Sequence, residues 1–150
     1  MSPARESPVI LLVDDDENDR IFFERALRKT GYGWRIATAA TGREAVEYLS
    51  GSGRFADRAA HPAPSHVLLD LKLPELSGLE VLQWIRNQPE LGALPVIVLS
   101  SSREPSDMER AKALRIDAYE VKPVEFRALV STVRSIAERW RLTGAPIPGA

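Results

Sequence analysis

Apolar residues in this chain gather into five short runs, at about 9–13, 34–39, 66–70, 95–99 and 117–121, separated by longer stretches of mixed polarity. Val9-Ile10-Leu11-Leu12-Val13 and Val96-Ile97-Val98-Leu99 are unbroken rather than alternating. That pattern predicts strands buried on both faces. The stretches between them carry apolar residues three and four apart, the spacing of a helix with one buried face. Strand–helix alternation through the whole chain predicts an α/β fold, a parallel sheet of five strands covered on both sides by helices.

Polar residues stand where several of these runs stop. Asp14-Asp15-Asp16 follows the first strand, Asp70 the third, Ser100 the fourth, and Lys122 lies beside Val121 at the end of the fifth. In an open parallel sheet the carboxyl ends of the strands share one rim, where ligands bind. Carboxylates, a hydroxyl and an ammonium, distant in sequence, are therefore expected to meet there. Such a set suits a phosphorylatable aspartate working with a divalent cation.

Helix boundaries are marked by caps. Asp16 is placed to cap the first helix, which ends at Lys29-Thr30-Gly31. Thr41-Gly-Arg-Glu44 and Ser106-Asp-Met-Glu109 both fit a capping box, a third helix starts after Ser77-Gly78, and the last runs from about Val124 to Leu142. Gly51 to Ser65 reads as an extended loop, and Thr143 to Ala150, with two prolines and two glycines, as a mobile tail. One domain is expected, with its core at about 8–142.

Composition narrows the function classes. Twenty basic against 21 acidic residues, a net charge of -1, give no electrostatic footprint for nucleic acid. The chain has no cysteine, which excludes disulfides and thiolate metal sites and agrees with a cytoplasmic location. No apolar run approaches the ~20 residues of a membrane span, and Met1 to Pro8 lacks the apolar core of a signal peptide.

The combined motifs resemble the receiver domain of two-component response regulators, over about residues 8 to 142. An acidic pair after strand one, Asp70-Leu-Lys-Leu-Pro-Glu-Leu-Ser-Gly78, the hydroxyl of Ser100 and Lys122-Pro123 carry the resemblance. The loop before Asp70, Ser100-Ser-Ser-Arg103 and Val121-Lys-Pro-Val-Glu-Phe126 look most like stand-alone regulators paired with phytochrome-type and other hybrid histidine kinases. The resemblance implies a flavodoxin-like doubly wound sheet of order 2-1-3-4-5. It implies that Asp70 accepts a phosphoryl group from a sensor histidine kinase or a histidine phosphotransfer protein. Asp15 would bind Mg²⁺ directly and Asp14 would support it, with Asp70 and the backbone carbonyl of Lys72 completing the shell. Lys122 and Ser100 would hold phosphoryl oxygens, Ser100 moving toward the phosphate as Tyr119 turns inward. A cis peptide between Lys122 and Pro123 would aim the ammonium, since an X–Pro bond favours trans by only about 0.5–1 kcal/mol. Lys72 is basic where the family often has a neutral side chain, and Asp16 is a third consecutive acid.

Two readings compete. A haloacid-dehalogenase-type phosphatase would use Asp14 as nucleophile and Asp16 as general acid; Asn18 and the absence of an acidic pair after Lys122 speak against it. A pseudo-receiver would bind partners without phosphate, which the retention of Asp14, Asp15, Asp70, Ser100 and Lys122 opposes. A self-phosphorylating switch, rather than an enzyme acting on other substrates, is the expected class.

Smaller features complete the sequence reading. His61 and His66 fall in the proline-rich loop as solvated residues without a third metal ligand, and Trp34 and Trp84 are expected to pack on the sheet. Phe22, Phe23, Ala26, Leu27 and Thr30 form the predicted buried stripe of the first helix, turning Ile21 outward between Arg25 and Arg28 as a kinase contact. The apolar repeat from Phe126 to Trp140 is longer than a strand needs. Ile136, Ala137 and Trp140 are therefore expected to reach past the sheet, with Trp140 near the centre of a homodimer formed through helix four, strand five and helix five.

Overall fold

The computed structural model describes residues 8–140, so the expected mobile tail, the N-terminal segment before Pro8 and the predicted end of the last helix at Leu142 lie outside the described residues. Ten elements alternate along the chain: β1 (Val9–Val13), α1 (Glu17–Thr30), β2 (Arg35–Ala39), α2 (Gly42–Ser50), β3 (His66–Leu69), α3 (Gly78–Asn87), β4 (Val96–Ser100), α4 (Pro105–Ala113), β5 (Ala118–Val121) and α5 (Phe126–Trp140). All strand pairs are parallel, in the order β2-β1-β3-β4-β5. The sequence-derived flavodoxin-like topology holds. A short 3-10 turn, Gly53–Phe55, interrupts the long loop after α2 and buries Phe55.

Alternate residues of each strand enter two separate cores. Ile10, Leu12, Leu68 and Ile97 pack with Phe23, Ala26 and Leu27 of α1 and Val133 and Ile136 of α5. Leu11, Val13, Val67 and Val98 pack with α2, α3 and Ala111 of α4. β1, β3 and β4 are thus covered on both faces, which explains why their sequences are unbroken apolar runs.

Local chemistry sets the helix ends that place the site. Asp16 caps α1, its Oδ1 accepting the amides of Asn18 and Asp19 at 2.8 and 3.2 Å. Gly31 closes that helix in the left-handed region at φ 82°, where glycine lacks the Cβ penalty. At α3 the Ser77–Glu80 capping box is complete. Gly78 lies so close to the chain after β3 that a Cβ would stand 2.1 Å from the Asp70 carbonyl oxygen. Only glycine lets α3 start against the end of β3.

Three expectations about the elements fail. Ser106 is not a cap: α4 begins two residues earlier than that cap would set, at Pro105, with Glu104 as N-cap and no side-chain cap bond. Proline at the first helical position has no amide to satisfy, which moves the boundary forward. Thr41 does cap α2, but Glu44 reaches Ala40 N–H rather than closing a box on Thr41. Phe22 is 45 % exposed, not sheet-facing, and meets Phe126 edge-on at 6.4 Å. Adjacent residues on a helix point about 100° apart, so Phe23 takes the core position and Phe22 the rim.

Candidate functional site

The carboxyl ends of β1, β3, β4 and β5 bring Asp14, Asp70, Ser100 and Lys122 together. Asp70 is 4 % exposed and both its oxygens are engaged. Oδ1 accepts from Ser100 Oγ at 2.9 Å and from Lys72 N–H at 3.0 Å; Oδ2 accepts from Lys122 Nζ at 2.8 Å. Lys122 Nζ also lies 2.7 Å from Asp14 Oδ2 and 2.7 Å from Asp19 Oδ2. One ammonium therefore ties three carboxylates from β1, α1 and β3.

The electrostatics follow from burial set against pairing. Burial opposes the Lys122 charge, but bonds to Asp14, Asp19 and Asp70 outweigh it and hold its pKa above the ordinary 10.5. Burial raises Asp14 above the usual carboxylate value of 3.8, against the lowering effect of Lys122 and the Asp16 amide, while repulsion from Asp70 adds a little. Asp14 thus resists ionisation, chiefly because it is desolvated.

Asp14, Asp15 and Asp70 each offer a carboxylate oxygen, all within 4.8 Å of one another. Asp14 and Asp70 are buried while Asp15 is exposed. An all-oxygen donor set with one face open to solvent fits a hard divalent cation that keeps part of its water.

A second network leads away from the site. Ser102 N–H donates to Ser100 Oγ at 3.3 Å, Ser102 Oγ donates to Asp107 Oδ2 at 2.7 Å, and Tyr119 O–H donates to the Ser102 carbonyl at 2.8 Å. Lys72 Nζ pairs with the same Asp107 oxygen at 3.1 Å. Bonds from Ser102 and Lys72 lower the Asp107 pKa. The half-buried Tyr119 thus sits on the chain between Ser100 and α4, while the Lys72 side chain lies on α4's first turn rather than over Asp70. Sequence reasoning missed Ser102, Asp19 and Asp107. Ser102 looked like any loop serine, and nothing marks a partner on a neighbouring helix in one dimension.

Two further corrections belong here. The described residues contain no cis peptide, so Lys122–Pro123 is trans, and the ammonium reaches Asp70 without the expected isomer. Its long flexible stem supplies the reach that the backbone turn was expected to provide. Trp140 does not stand free: it is half-buried against the α1–α5 core, its ring centroid is 4.5 Å from that of His66, and its Nε1 donates to Asp117 Oδ2 at 2.7 Å. Ile136 and Ala137 are buried as well. His66 opens β3 instead of lying in the loop. Trp34 is buried and Trp84 half-buried, as expected. Ile21 is exposed, as expected, beside Phe22.

The response regulator receiver domain family matches residues 10–134. The chain belongs to that family. Among its relatives, the probable methanogenesis regulatory protein FilR2 of Methanothrix harundinacea is 36% identical over 137 residues, covering 91% of this chain and 86% of that protein. Response regulator Rcp1 of Synechocystis is 30% identical over the full length of both. Its Mn²⁺-bound structure superposes with a TM-score of 0.80 at 30% identity, covering 95% of this chain and 99% of that one. The phosphorylated cyanobacterial phytochrome response regulator RcpA gives 0.83 at 33% identity, covering 96% of this chain and all of the other. This receiver is a phosphorylation-dependent switch of two-component signalling, not a classical enzyme. Its acidic cluster is compatible with a divalent metal, and receiver domains interact with histidine kinases or phosphotransfer proteins. No helix among the described residues is long and apolar enough to cross a membrane. The phosphatase reading is not favoured, and Asp16, its general acid, is occupied as the α1 cap.

Proposed function

We propose that Asp70 is the phosphoryl acceptor, with Asp14, Asp15, Asp70 and the Lys72 carbonyl holding Mg²⁺ and with Lys122 and Ser100 binding phosphoryl oxygens. The observation that carries this reading is the Asp70 carboxylate, held by a hydroxyl, an amide and an ammonium beside two further acids. In the transfer, an Asp70 oxygen attacks the phosphorus of a partner's phosphohistidine. The P–N bond breaks, an O–P bond forms, and the released imidazole keeps its electron pair and is protonated from solvent. Mg²⁺, when bound, supplies charge neutralisation for the phosphoryl oxygens. Lys122 leaves its ion pairs with Asp14 and Asp19 for the new charge, and the Ser100 hydroxyl follows. The existing bond from Ser100 to Asp70 means that little movement is needed.

The kinase or phosphotransfer protein would dock at the exposed Ile21 and Phe22 of α1, where Phe22 meets Phe126 edge-on and lies beside Lys122. Ile21→Ser is expected to slow transfer from the cognate kinase without slowing labelling by acetyl phosphate. The added charge of roughly -2 would be read through Ser102, Tyr119 and the first turn of α4. A homodimer through α4, β5 and α5 belongs to the same reading, without Trp140 at its centre, as does a cytoplasmic setting. Incubation with acetyl phosphate and Mg²⁺ tests the assignment: Asp70→Asn should take no label, whereas Asp15→Asn should label slowly and lose its dependence on the cation. Undiminished labelling of the Asp70→Asn protein would overturn it.

A further inference from the structure

The open edge of β2 lies at the end of the sheet away from β5, and nothing in the switch requires it. Two bonds fix its hydrogen-bonding phase. Arg35 N–H donates to the Pro8 carbonyl and the Ala39 carbonyl accepts from Asp14 N–H, so Arg35, Ala37 and Ala39 face β1. In a parallel ladder the alternate residues, Ile36 and Thr38, must then turn their amides and carbonyls outward. Those amides have no partner among the described residues. Natural sheets blunt such edges with bulges, prolines, charged side chains or a covering segment; β2 has neither a bulge nor a proline and carries a single charge, Arg35, at its start.

The edge is instead the floor of a groove of about 460 Å³ that runs from Val9 and Pro62 to Ala40. Five residues of strand are ~16 Å long, room for a strand of equal length. Arg20, Arg35 and Arg54 line it, with Glu44 the one acid on its wall among the described residues. Glu44 also shows what the groove accepts. Its Oε1 takes the outward amide of Ala40 at 2.7 Å, the next in the row after Ile36 and Thr38, and its Oε2 pairs with Arg54. A carboxylate between an edge amide and an arginine is the local pattern that an incoming acidic strand would repeat. Two copies of β2 would instead bring two arginine sets together.

We propose that the β2 edge is a docking site for an extended acidic segment of a partner protein, which adds to the sheet as a sixth strand. Main-chain bonds to Ile36 and Thr38 would supply register, and Arg20, Arg35 and Arg54 the preference for glutamate or aspartate. This goes beyond phosphoryl transfer and does not depend on the assignment of Asp70.

The test uses the full chain and a ten-residue peptide alternating glutamate and valine, with three controls: lysine in place of glutamate, proline at alternate positions, and a short oligonucleotide. Saturating acidic peptide should slow amide hydrogen exchange at Ile36 and Thr38 by roughly tenfold. The lysine and proline peptides should leave it unchanged. Thr38→Pro removes one outward donor but no bond to β1, a substitution an edge strand tolerates. It should abolish binding while the thermal midpoint stays close to wild type; Arg35→Glu, on the exposed face, should weaken binding at least about tenfold and serves if Thr38→Pro misfolds. Equal binding of the lysine peptide, or unchanged exchange at Ile36 and Thr38 at saturation, would overturn the proposal. Displacement by the oligonucleotide without amide protection would show a general anion site and would equally overturn it.

Discussion

Lys122 carries more of the site than any other side chain, because among the described residues it is the one cation paired with the carboxylates of Asp14, Asp19 and Asp70. Removing one partner from a buried ion cluster leaves uncompensated charge, at a cost of about 3–5 kcal/mol. Lys122 keeps 16 % of its side-chain surface exposed, so Lys122→Met should lose stability at the lower end of that range in EDTA. Millimolar Mg²⁺ should restore part of it, by neutralising the same acids and binding only the folded state. The pH dependence has a definite sign. The folded pKa lies above 10.5, so the stabilisation is whole below about pH 10.5 and is lost as pH rises through the folded value. Chemical denaturation in EDTA and in Mg²⁺ checks both statements; an unchanged midpoint for the variant would refute them. Asp14→Asn should act in the opposite sense at neutral pH without metal, raising the thermal midpoint, because a desolvated carboxylate with a raised pKa opposes folding once ionised. These residues were legible because a charged or hydroxyl side chain directly after an apolar run is conspicuous. Ser102, Asp19 and Asp107 were not, since they act through contacts that only the packed helices create.

At the scale of elements, boundaries follow local chemistry, and failures occur where packing decides. All five strands lie within a residue of their expected bounds, whereas Phe22 and Trp140 were misplaced because helical periodicity does not reveal what a neighbouring element covers. Gly78 is a position where the contact between elements is decisive. A methyl group there meets the Asp70 carbonyl oxygen and the Leu71 Cα, both backbone atoms that cannot swing aside. Gly78→Ala should cost about 1–3 kcal/mol and also slow labelling, since relief requires moving Asp70. Urea titration combined with acetyl phosphate labelling measures the two effects. Full stability with normal labelling would show that α3 shifts freely. His66 gives a further prediction. Burial against Trp140 depresses its pKa below 6.5, with a smaller opposing pull from Asp117. Its contribution is therefore present above pH 6.5 and is lost as pH falls through the folded value. His66→Phe should flatten the decline in thermal midpoint between pH 7 and 5; an identical slope in both proteins would remove His66 as the cause.

In the whole molecule, the sheet order places the acidic cluster, the hydroxyl and the ammonium on one rim; the fold was readable from the alternation of apolar runs with helical spacing, and the rim from the polar residues that end those runs. What the sequence could not supply was the connection between rim and surface: Ser100 to Ser102, then to Tyr119 and Asp107. If that chain transmits the signal, phosphorylation should change amide exchange in α4 and the segment 101–104 and leave α2 unaltered. The most direct measurement of the central claim locates the phosphoryl group chemically. Borohydride reduces an aspartyl phosphate to homoserine, so protein labelled with acetyl phosphate and Mg²⁺ can be reduced, digested and sequenced by mass spectrometry. The account predicts homoserine at position 70 and at no other aspartate. Homoserine at position 14, or a labelled protein whose Asp70 survives reduction intact, would contradict it.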